Sequence, residues 1–153
     1  MSITFFVPGL PQPGGSKRAF YIKKLGRAVI TDANAKAKPW KATVAAYARE
    51  QYAGQPLDGP LKVTMIFTMP RPKYHFGKHG RKANAPIYHT VKPDSTKLLR
   101  STEDALTGIL WRDDSQVMPA VTKVYGDLPG VQISVEPLLD FAGVETSPLL
   151  EMQ

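Results

Sequence analysis

One segment in the middle of the chain constrains the fold more than any other. From Leu61 to Met69, in PLKVTMIFTMP, large apolar side chains at the odd positions alternate with Lys62, Thr64 and Thr68 at even ones. Side chains two apart in a β-strand lie on the same face, so this alternation predicts a strand with one face in the core. The preceding GQPLDGP is typical of a turn.

Further strands are predicted on both sides of this one. The apolar run ITFFV at 3–7 is followed by PGLPQPGG, whose prolines cannot continue a strand. The runs at 19–24 and 28–32 flank LGR, which predicts a hairpin with Gly26 in its turn. Near the other end, VTKVYG at 121–126 and VQISVEP at 131–137 predict two strands joined through DLPG.

Two segments have helical periodicity. The alanine-rich segment 33–52 carries apolar side chains at spacings of three and four, and Pro39 suits a first turn, so its regular part should start near Lys38. A second helix is predicted after Pro93, where any of the polar residues at 94–96 could cap it, and it should end near Gly108. The order of elements predicts an α+β domain with two helices packed on a mostly antiparallel or mixed sheet.

Length and composition set the class of protein. The chain has 153 residues and no cysteine, which fits one domain and excludes disulfide frameworks, cysteine zinc sites and thiol nucleophiles. No apolar run approaches the ~20 residues of a membrane span, and the amino terminus lacks the pattern of a secretion signal. We therefore expect a cytoplasmic protein with no membrane association, folded over 1–137, with a loosely ordered tail at 138–153.

Charge is distributed unevenly along the chain. The formal net charge is +7, but residues 1–100 hold 18 Lys and Arg against 4 Asp and Glu, while residues 101–153 hold 2 against 9. A basic surface attracts polyanions by Coulomb forces and counterion release, so nucleic acid is the first partner to consider. A basic protein that merely binds an acidic partner remains an alternative.

A basic loop at 70–92 carries much of that positive charge. A loop this long in a compact domain is usually functional or disordered without its ligand. Its Tyr74, Phe76 and Tyr88 could stack on unpaired bases, while its cations grip phosphates. The predicted DNA-binding residues, with one from the following helix, are Arg71, Lys73, Lys78, Arg81, Lys82, Lys92 and Lys97. Its three histidines, at 75, 79 and 89, are poor metal candidates because glycines interrupt any helix there.

Acidic side chains gather directly after the basic loop. Five of the 13 in the chain lie between residues 92 and 117, including Asp94, Asp104, Asp113 and Asp114. Carboxylates beside cations suit Mg²⁺ or Mn²⁺ and phosphodiester hydrolysis. The alternatives are a helix cap at Asp94, a surface ion pair between Asp104 and Arg100, and an ordinary turn at 113 and 114.

Geometry limits how these acids could meet. A straight helix over 95–107 is about 20 Å long, so its two ends cannot share one ion. Either Asp113 and Asp114 return along the helix, or Asp104 links the two ends from mid-helix, or the acids of two subunits combine.

The same stretch resembles a known family. Lys92-Pro93-Asp94 with Arg100, then DALTG from Asp104, then WRDDSQV from Trp111, are similar to the RusA family of Holliday junction resolvases, particularly its bacteriophage members. The PGLPQPGGSKR, GPLKV, MPRPKYH and KVYGDLPGVQI segments extend the resemblance over residues 3 to about 136.

The resemblance implies a small α+β homodimer that binds four-way or other branched DNA and makes paired symmetric cuts with Mg²⁺ or Mn²⁺. It assigns catalytic roles to Asp94, Asp114, Arg100 and Asp104. With Asp113 added from the acidic cluster, we expect Asp94, Asp104, Asp113 and Asp114 to bind the metal ion. Arg100 replaces a family lysine, keeping the charge but favouring phosphate clamping over proton exchange.

One family acid is absent. Thr96 stands where the pattern has a second Asp, and loss of a carboxylate weakens ion binding, which Asp104 or Asp113 could offset. A branched-DNA-binding protein with weak or no cleavage is therefore the alternative hypothesis.

Overall fold

The fold is described from a computed structural model. It covers residues 1–14, 17–22, 26–32 and 34–139, with the backbone alone at 17–22 and 27–32. Most of the predicted tail at 138–153 therefore lies outside the described residues. No helix in the described ranges is long and apolar enough to cross a bilayer.

The strands and helices follow the predicted order. The strands, numbered along the chain, are β1 Ile3–Pro8, β2 Lys17–Ile22, β3 Arg27–Asp32, β4 Leu61–Met69, β5 Phe76–Gly77, β6 Gly80–Arg81, β7 Val117–Tyr125 and β8 Gly130–Pro137. The helices are α1 Ala37–Gln51 and α2 Ser95–Leu106. Single 3₁₀ turns span Lys73–His75 and Asp114–Gln116. The α+β prediction is confirmed.

A mixed sheet of four strands forms the centre of the fold. Its order is β1-β8-β4-β7, with β4 parallel to β7 and the other neighbours antiparallel. The predicted alternation of β4 is confirmed, because its odd-numbered side chains are buried. Met65 lies between Val121 of β7 and Ile133 of β8, so β4 has a partner on each edge. Strands β2 and β3 form the predicted hairpin, with Gly26 at φ 62°.

The two helices share one core with the sheet. Trp40, Val44 and Ala48 of α1 are buried, as the sequence predicted, and Leu98 and Leu106 of α2 join the same cluster. The helices also meet through a buried polar contact, in which Trp40 Nε1 donates to Thr102 Oγ1 at 3.3 Å. This contact satisfies the indole N–H inside the core, where an unpaired donor would be costly.

Two local expectations differ from the structure. Strand β7 starts at Val117 rather than 121, because Val117 pairs with Leu61 at the start of the parallel ladder even though Met118 and Pro119 are exposed. The basic loop was expected to lack regular structure, but it contains the 3₁₀ turn and the short β5–β6 hairpin. Gly80, at φ 99°, supplies the left-handed backbone conformation of that hairpin turn.

The loop after β1 lies against α2. The amide of Gly14 donates to the Lys97 carbonyl at 2.9 Å, and Ser101 Oγ donates to the Gln12 carbonyl. A Cβ added at Gly14 would stand 2.9 Å from Ser101 Cβ and 3.3 Å from its Cα. Only glycine therefore allows this approach of loop to helix.

We expect Gly14→Ala to lower the free energy of unfolding by about 1–3 kcal/mol, the usual cost of overpacking. Urea denaturation followed by circular dichroism measures the change. The matched control is Gly77→Ala, whose added Cβ would meet only Lys82 Cγ and Cε at 3.7 and 3.8 Å. Equal stability of the two variants would contradict the close approach at Gly14.

Candidate active site

Asp94 stands at the start of α2 with its carboxylate uncommitted to capping. Its backbone occupies the cap position, and its carbonyl accepts from the amides of Lys97 and Leu98, both at 3.1 Å. Its side chain makes no capping hydrogen bond and is exposed. The cap alternative for this carboxylate is therefore wrong, and the group is available for other chemistry.

Lys123 of β7 holds the segment that leads into Asp94. Its ammonium donates to the carbonyls of Val91 at 2.9 Å and Pro93 at 2.7 Å. Burial lowers the pKa of Lys123, while attraction to Asp94 opposes that shift. Sequence reasoning missed Lys123, because nothing in VTKVYG shows that this lysine faces the beginning of α2.

The chain turns back sharply after α2. Gly108, at φ 91°, directs its amide to the Trp111 carbonyl, and Trp111 Nε1 donates to Thr107 Oγ1 at 3.0 Å. Trp111 is fully buried, and the amide of Leu57 donates to the Leu110 carbonyl at 2.9 Å. The fold therefore returns residues 113 and 114 towards the helix, which was one of the three predicted routes.

Asp113 stabilises the turn that carries Asp114. Asp113 Oδ1 accepts from the Ser115 amide at 2.8 Å, and Gln116 Oε1 accepts from the Asp113 amide at 3.0 Å. The bonds to Ser115 hold the pKa of Asp113 below its ordinary value. Gln116 Nε2 in turn donates to the carbonyls of Leu57 and Gly59, both at 2.9 Å. The turn alternative thus describes Asp113 well, and its metal contact stays a prediction.

Glu103 is the acid that sequence reasoning left out of the site. Burial raises its pKa from an ordinary 4.5 to about 7, with further rises from the negative charges of Asp114 and Asp104 and a smaller lowering by Arg100. Such repulsion requires Glu103 and Asp114 to be neighbours. The available signal was its position on α2, three residues after Arg100 and seven after Thr96, which places all three on one helix face.

Asp104, the next residue of α2, faces the other helix. Its Oδ2 lies 3.4 Å from Lys41 Nζ of α1, and the carboxylate side chain is 42% exposed. A partly exposed pair of this kind contributes little to stability. Asp104 therefore adds negative charge beside Glu103 while linking the two helices.

The donor set fits a hard divalent cation only in part. Among the described residues, no three acidic or histidine side chains are placed to hold a metal ion by themselves. Mg²⁺, however, is usually bound by one or two carboxylates together with waters and substrate phosphates. Glu103 and Asp114, which interact electrostatically, are the two acids that would hold such an ion together with DNA.

The basic loop has a small core of its own. His75 and His89 are buried and pack edge-on against the Tyr125 ring, with centroids at 4.8 and 5.0 Å. Burial, with nearby cations, lowers the pKa of both histidines, so both are neutral packing groups at pH 7. Arg71 Nη1 donates to the Pro86 carbonyl at 2.7 Å, and its guanidinium lies 5.3 Å from the Tyr125 ring centre. Arg71 therefore shapes the loop, and its phosphate contact stays a prediction.

The other predicted DNA-binding cations are exposed. This holds for Lys73, Lys78, Arg81, Lys82, Lys92 and Lys97. Tyr74 and Tyr88 lie among these cations and are 66% and 60% exposed, although Tyr74 also packs edge-on against His75. The loop thus presents cations and aromatic faces together, as binding of unpaired nucleic acid requires.

Comparison with known proteins decides the family. The model of the endodeoxyribonuclease RusA family matches residues 8–136. The chain belongs to the RusA family. It is also similar to the uncharacterized protein YqaN of Bacillus subtilis (strain 168), with 29% identity over 137 residues, covering 87% of this chain and 94% of that protein. The predicted resemblance is confirmed. The prediction that the protein is an endodeoxyribonuclease is confirmed with it.

RusA membership implies Holliday junction resolvase activity and hence binding of branched DNA. RusA nucleases generally depend on a divalent metal ion. The roles of individual acids and cations in this RusA protein remain predictions.

The raised pKa of Glu103 predicts a pH-dependent stability. A carboxyl that binds its proton more tightly in the folded state stabilises the fold fully below pH 4.5, and this contribution is lost as pH rises through about 7. We expect Glu103→Gln to be more stable than the wild type at pH 8 in EDTA, and the difference to shrink towards pH 4.5. Urea titrations across this range measure it.

The control for Glu103→Gln is Glu50→Gln, which changes an exposed acid of α1. A stability difference for Glu103→Gln that does not vary with pH would contradict the raised pKa of Glu103.

Lys123 is predicted to position the start of α2. Lys123→Met should leave the Val91 and Pro93 carbonyls without their donor and lower the free energy of unfolding by about 1–3 kcal/mol. Amide hydrogen exchange should quicken at Lys97 and Leu98, whose amides bond to the Asp94 carbonyl. Lys62→Met, at an exposed position of β4, is the control and should leave both measurements unchanged.

Proposed function

We propose that this protein is a divalent-metal-dependent, structure-selective endonuclease that resolves four-way DNA junctions by paired symmetric cuts. The observation that carries the proposal is the RusA family match over residues 8–136, and the electrostatic interaction of Glu103 with Asp114, on the helix that also bears Arg100, supports it. Two carboxylates and a permanent cation on one surface are the groups that phosphodiester hydrolysis needs.

The proposed metal ligands are Glu103 and Asp114, with the charge of Asp104 beside them. Metal binding by Asp94 and Asp113 rests on the sequence prediction alone. When bound, Mg²⁺ or Mn²⁺ would activate water and neutralise charge developing on the phosphate. Glu103, whose pKa is about 7 in the metal-free protein, would release its proton when it binds the ion. Arg100, exposed on α2, holds the scissile phosphate through its planar guanidinium.

Glu103 also supplies a carboxylate on the helix face where Thr96 lacks one. Positions 96 and 103 are two helical turns apart on the same face. A carboxylate on the longer Glu side chain at 103 keeps the number of acids on that face, although it moves one of them along α2. This relocation favours a cutting enzyme over a protein that only binds junctions.

Binding is assigned to the basic loop and the start of α2. Exposed cations on both sides of Asp94 would guide the phosphate backbone towards the acids, and Tyr74 and Tyr88 would stack on bases freed at the branch. We further propose a homodimer, because two active sites related by a twofold axis match the symmetry of a four-way junction and of paired cuts.

A synthetic four-way junction with each strand labelled in turn tests the activity. With Mg²⁺ or Mn²⁺ we expect two nicks in opposed strands at equivalent positions, and none in linear duplex. Junction binding without nicks, in either metal, would instead support the binding-only alternative that Thr96 suggests.

Asp114→Asn should abolish cutting because it removes a proposed metal ligand. Junction affinity should be retained or increased, because the change removes a negative charge from the protein surface that binds DNA. Gel-shift titration and nicking assays on the same junction measure the two effects. Asp127→Asn, in the β7–β8 connection, is the control and should cut normally. Parallel loss of binding and cutting would contradict the catalytic role of Asp114.

Replacing two loop cations should weaken binding and flatten its salt dependence. For Lys78→Ala with Lys82→Ala, the slope of log affinity against log salt should become shallower by about 1 for each phosphate that the protein no longer neutralises. The matched control replaces Lys38 and Lys62, which are equally exposed but lie on α1 and β4. An unchanged slope would remove the loop from the DNA interface.

A further inference from the structure

A pocket opens directly beside Asp94. Its volume is about 420 Å³, within the range of small-ligand sites. One wall is the loop after β1, with Leu10, Pro11 and Pro13, and the opposite wall is the start of α2 with Pro93 and Asp94. Asp94, Lys92 and Lys97 already have roles in cutting or binding, but the wall formed by the loop after β1 has none so far.

The lining suits the flat face of a nucleobase. Leu10, the three prolines and Met69 supply apolar surface, and Met69 is only 4% exposed. None of the described lining residues is aromatic. A base held there would keep apolar contact on its faces but lose its stacking neighbours, as bases extruded from a duplex do.

The rim is positively charged. Lys92 and Lys97 both line the pocket and are exposed, and they stand on either side of Asp94 in the sequence. Their ammonium groups are placed to receive phosphate oxygens, whereas a neutral apolar ligand would gain nothing from them. A ligand with one apolar ring system and one or two phosphates matches both features.

Gln12 provides a polar group with a fixed orientation. Its Oε1 accepts from Asn34 Nδ2 at 3.2 Å, and the same Asn34 nitrogen donates to the Pro13 carbonyl at 3.2 Å. With its oxygen held, Gln12 presents its NH₂ group as the donor for a base edge. An amide that is oriented before the ligand arrives discriminates bases better than a mobile one.

The pocket is preformed. Two hydrogen bonds hold the loop wall against the helix wall. The Gly14 amide donates to the Lys97 carbonyl, and Ser101 Oγ donates to the Gln12 carbonyl. Both walls therefore keep their separation without a ligand. Little ordering free energy is lost when a ring enters a pocket of this kind.

We propose that this pocket receives one unstacked nucleotide of branched DNA, with its base between the loop after β1 and Pro93 and its phosphates at Lys92 and Lys97. The inference rests on the proposed function, because a branch point supplies nucleotides that are already poorly stacked and cheap to extrude. The nucleotide would lie beside Asp94, and the Gln12 amide would discriminate between bases by hydrogen bonding to the base edge.

Fluorescence of 2-aminopurine tests the inference without cleavage. The probe is placed in turn at each nucleotide around the branch point of a four-way junction, and once far out in an arm, in EDTA. We expect saturating protein to brighten the probe severalfold at one branch-point position and to leave the arm position unchanged, because the pocket removes stacking without an aromatic quencher.

Two matched variants show whether the pocket causes this change. Leu10→Glu places a negative charge in the pocket, and Leu128→Glu makes the same change at an exposed leucine outside the described pocket lining. The brightening should be lost in the Leu10 variant and kept in the Leu128 variant, with junction binding measurable for both. Gln12→Met should keep the brightening but reduce the base preference of cutting.

Two results would overturn the pocket assignment. They are an unchanged probe at every branch-point position although the junction binds, and brightening that survives in Leu10→Glu. Both are distinct from failure of the proposed function, which the nicking assay measures separately. A protein that binds no branched DNA overturns both proposals.

Discussion

The parallel pairing of β4 with β7 is the constraint on which the rest of the structure depends. Parallel neighbours cannot be joined by a hairpin, so the chain between them must cross over. That crossover contains the basic loop and α2. Lys123 of β7 holds the segment before α2, and Asp114, just before β7, interacts with Glu103 near the end of α2. Pairing with β4 thus fixes both ends of the crossover segment that carries these acids.

The basic loop and the acids that follow it are both carried by this crossover. Burial of Glu103 and, to a smaller extent, the charges of Asp114 and Asp104 disfavour its ionised form, and Arg100 offsets part of this effect. Lys123 is instead attracted to Asp94 near the start of α2. Cations therefore have two separate tasks here. Lys123 and Arg71 stabilise the protein from within, while the exposed loop lysines remain available to an external polyanion.

Much of the fold could be predicted because it follows local rules. The alternation in β4, the apolar stripe of α1 and the glycine after α2 each depend on nearby residues alone, and all three are confirmed. The early start of β7 could not be predicted, because Val117 joins the ladder only through Leu61. Lys123 was missed for the same reason, since its carbonyl partners lie about thirty residues earlier. Glu103 was passed over because the family pattern draws attention to Thr96 instead of to the helix face.

Glu103 and Thr96 together indicate how such a site tolerates change. A metal site needs carboxylate oxygens at the right place on a surface, and a helix offers that surface at several positions, because residues seven apart lie one above the other. Seven residues are about 10 Å along the axis, so a carboxylate at 103 lies nearer to Asp114 and farther from Asp94 than one at 96 would. Burial and repulsion by Asp114 raise the pKa of Glu103, and a bound cation would lower it again. An acid at 103 therefore offers a carboxylate pair with Asp114 but does not restore the missing carboxylate beside Asp94.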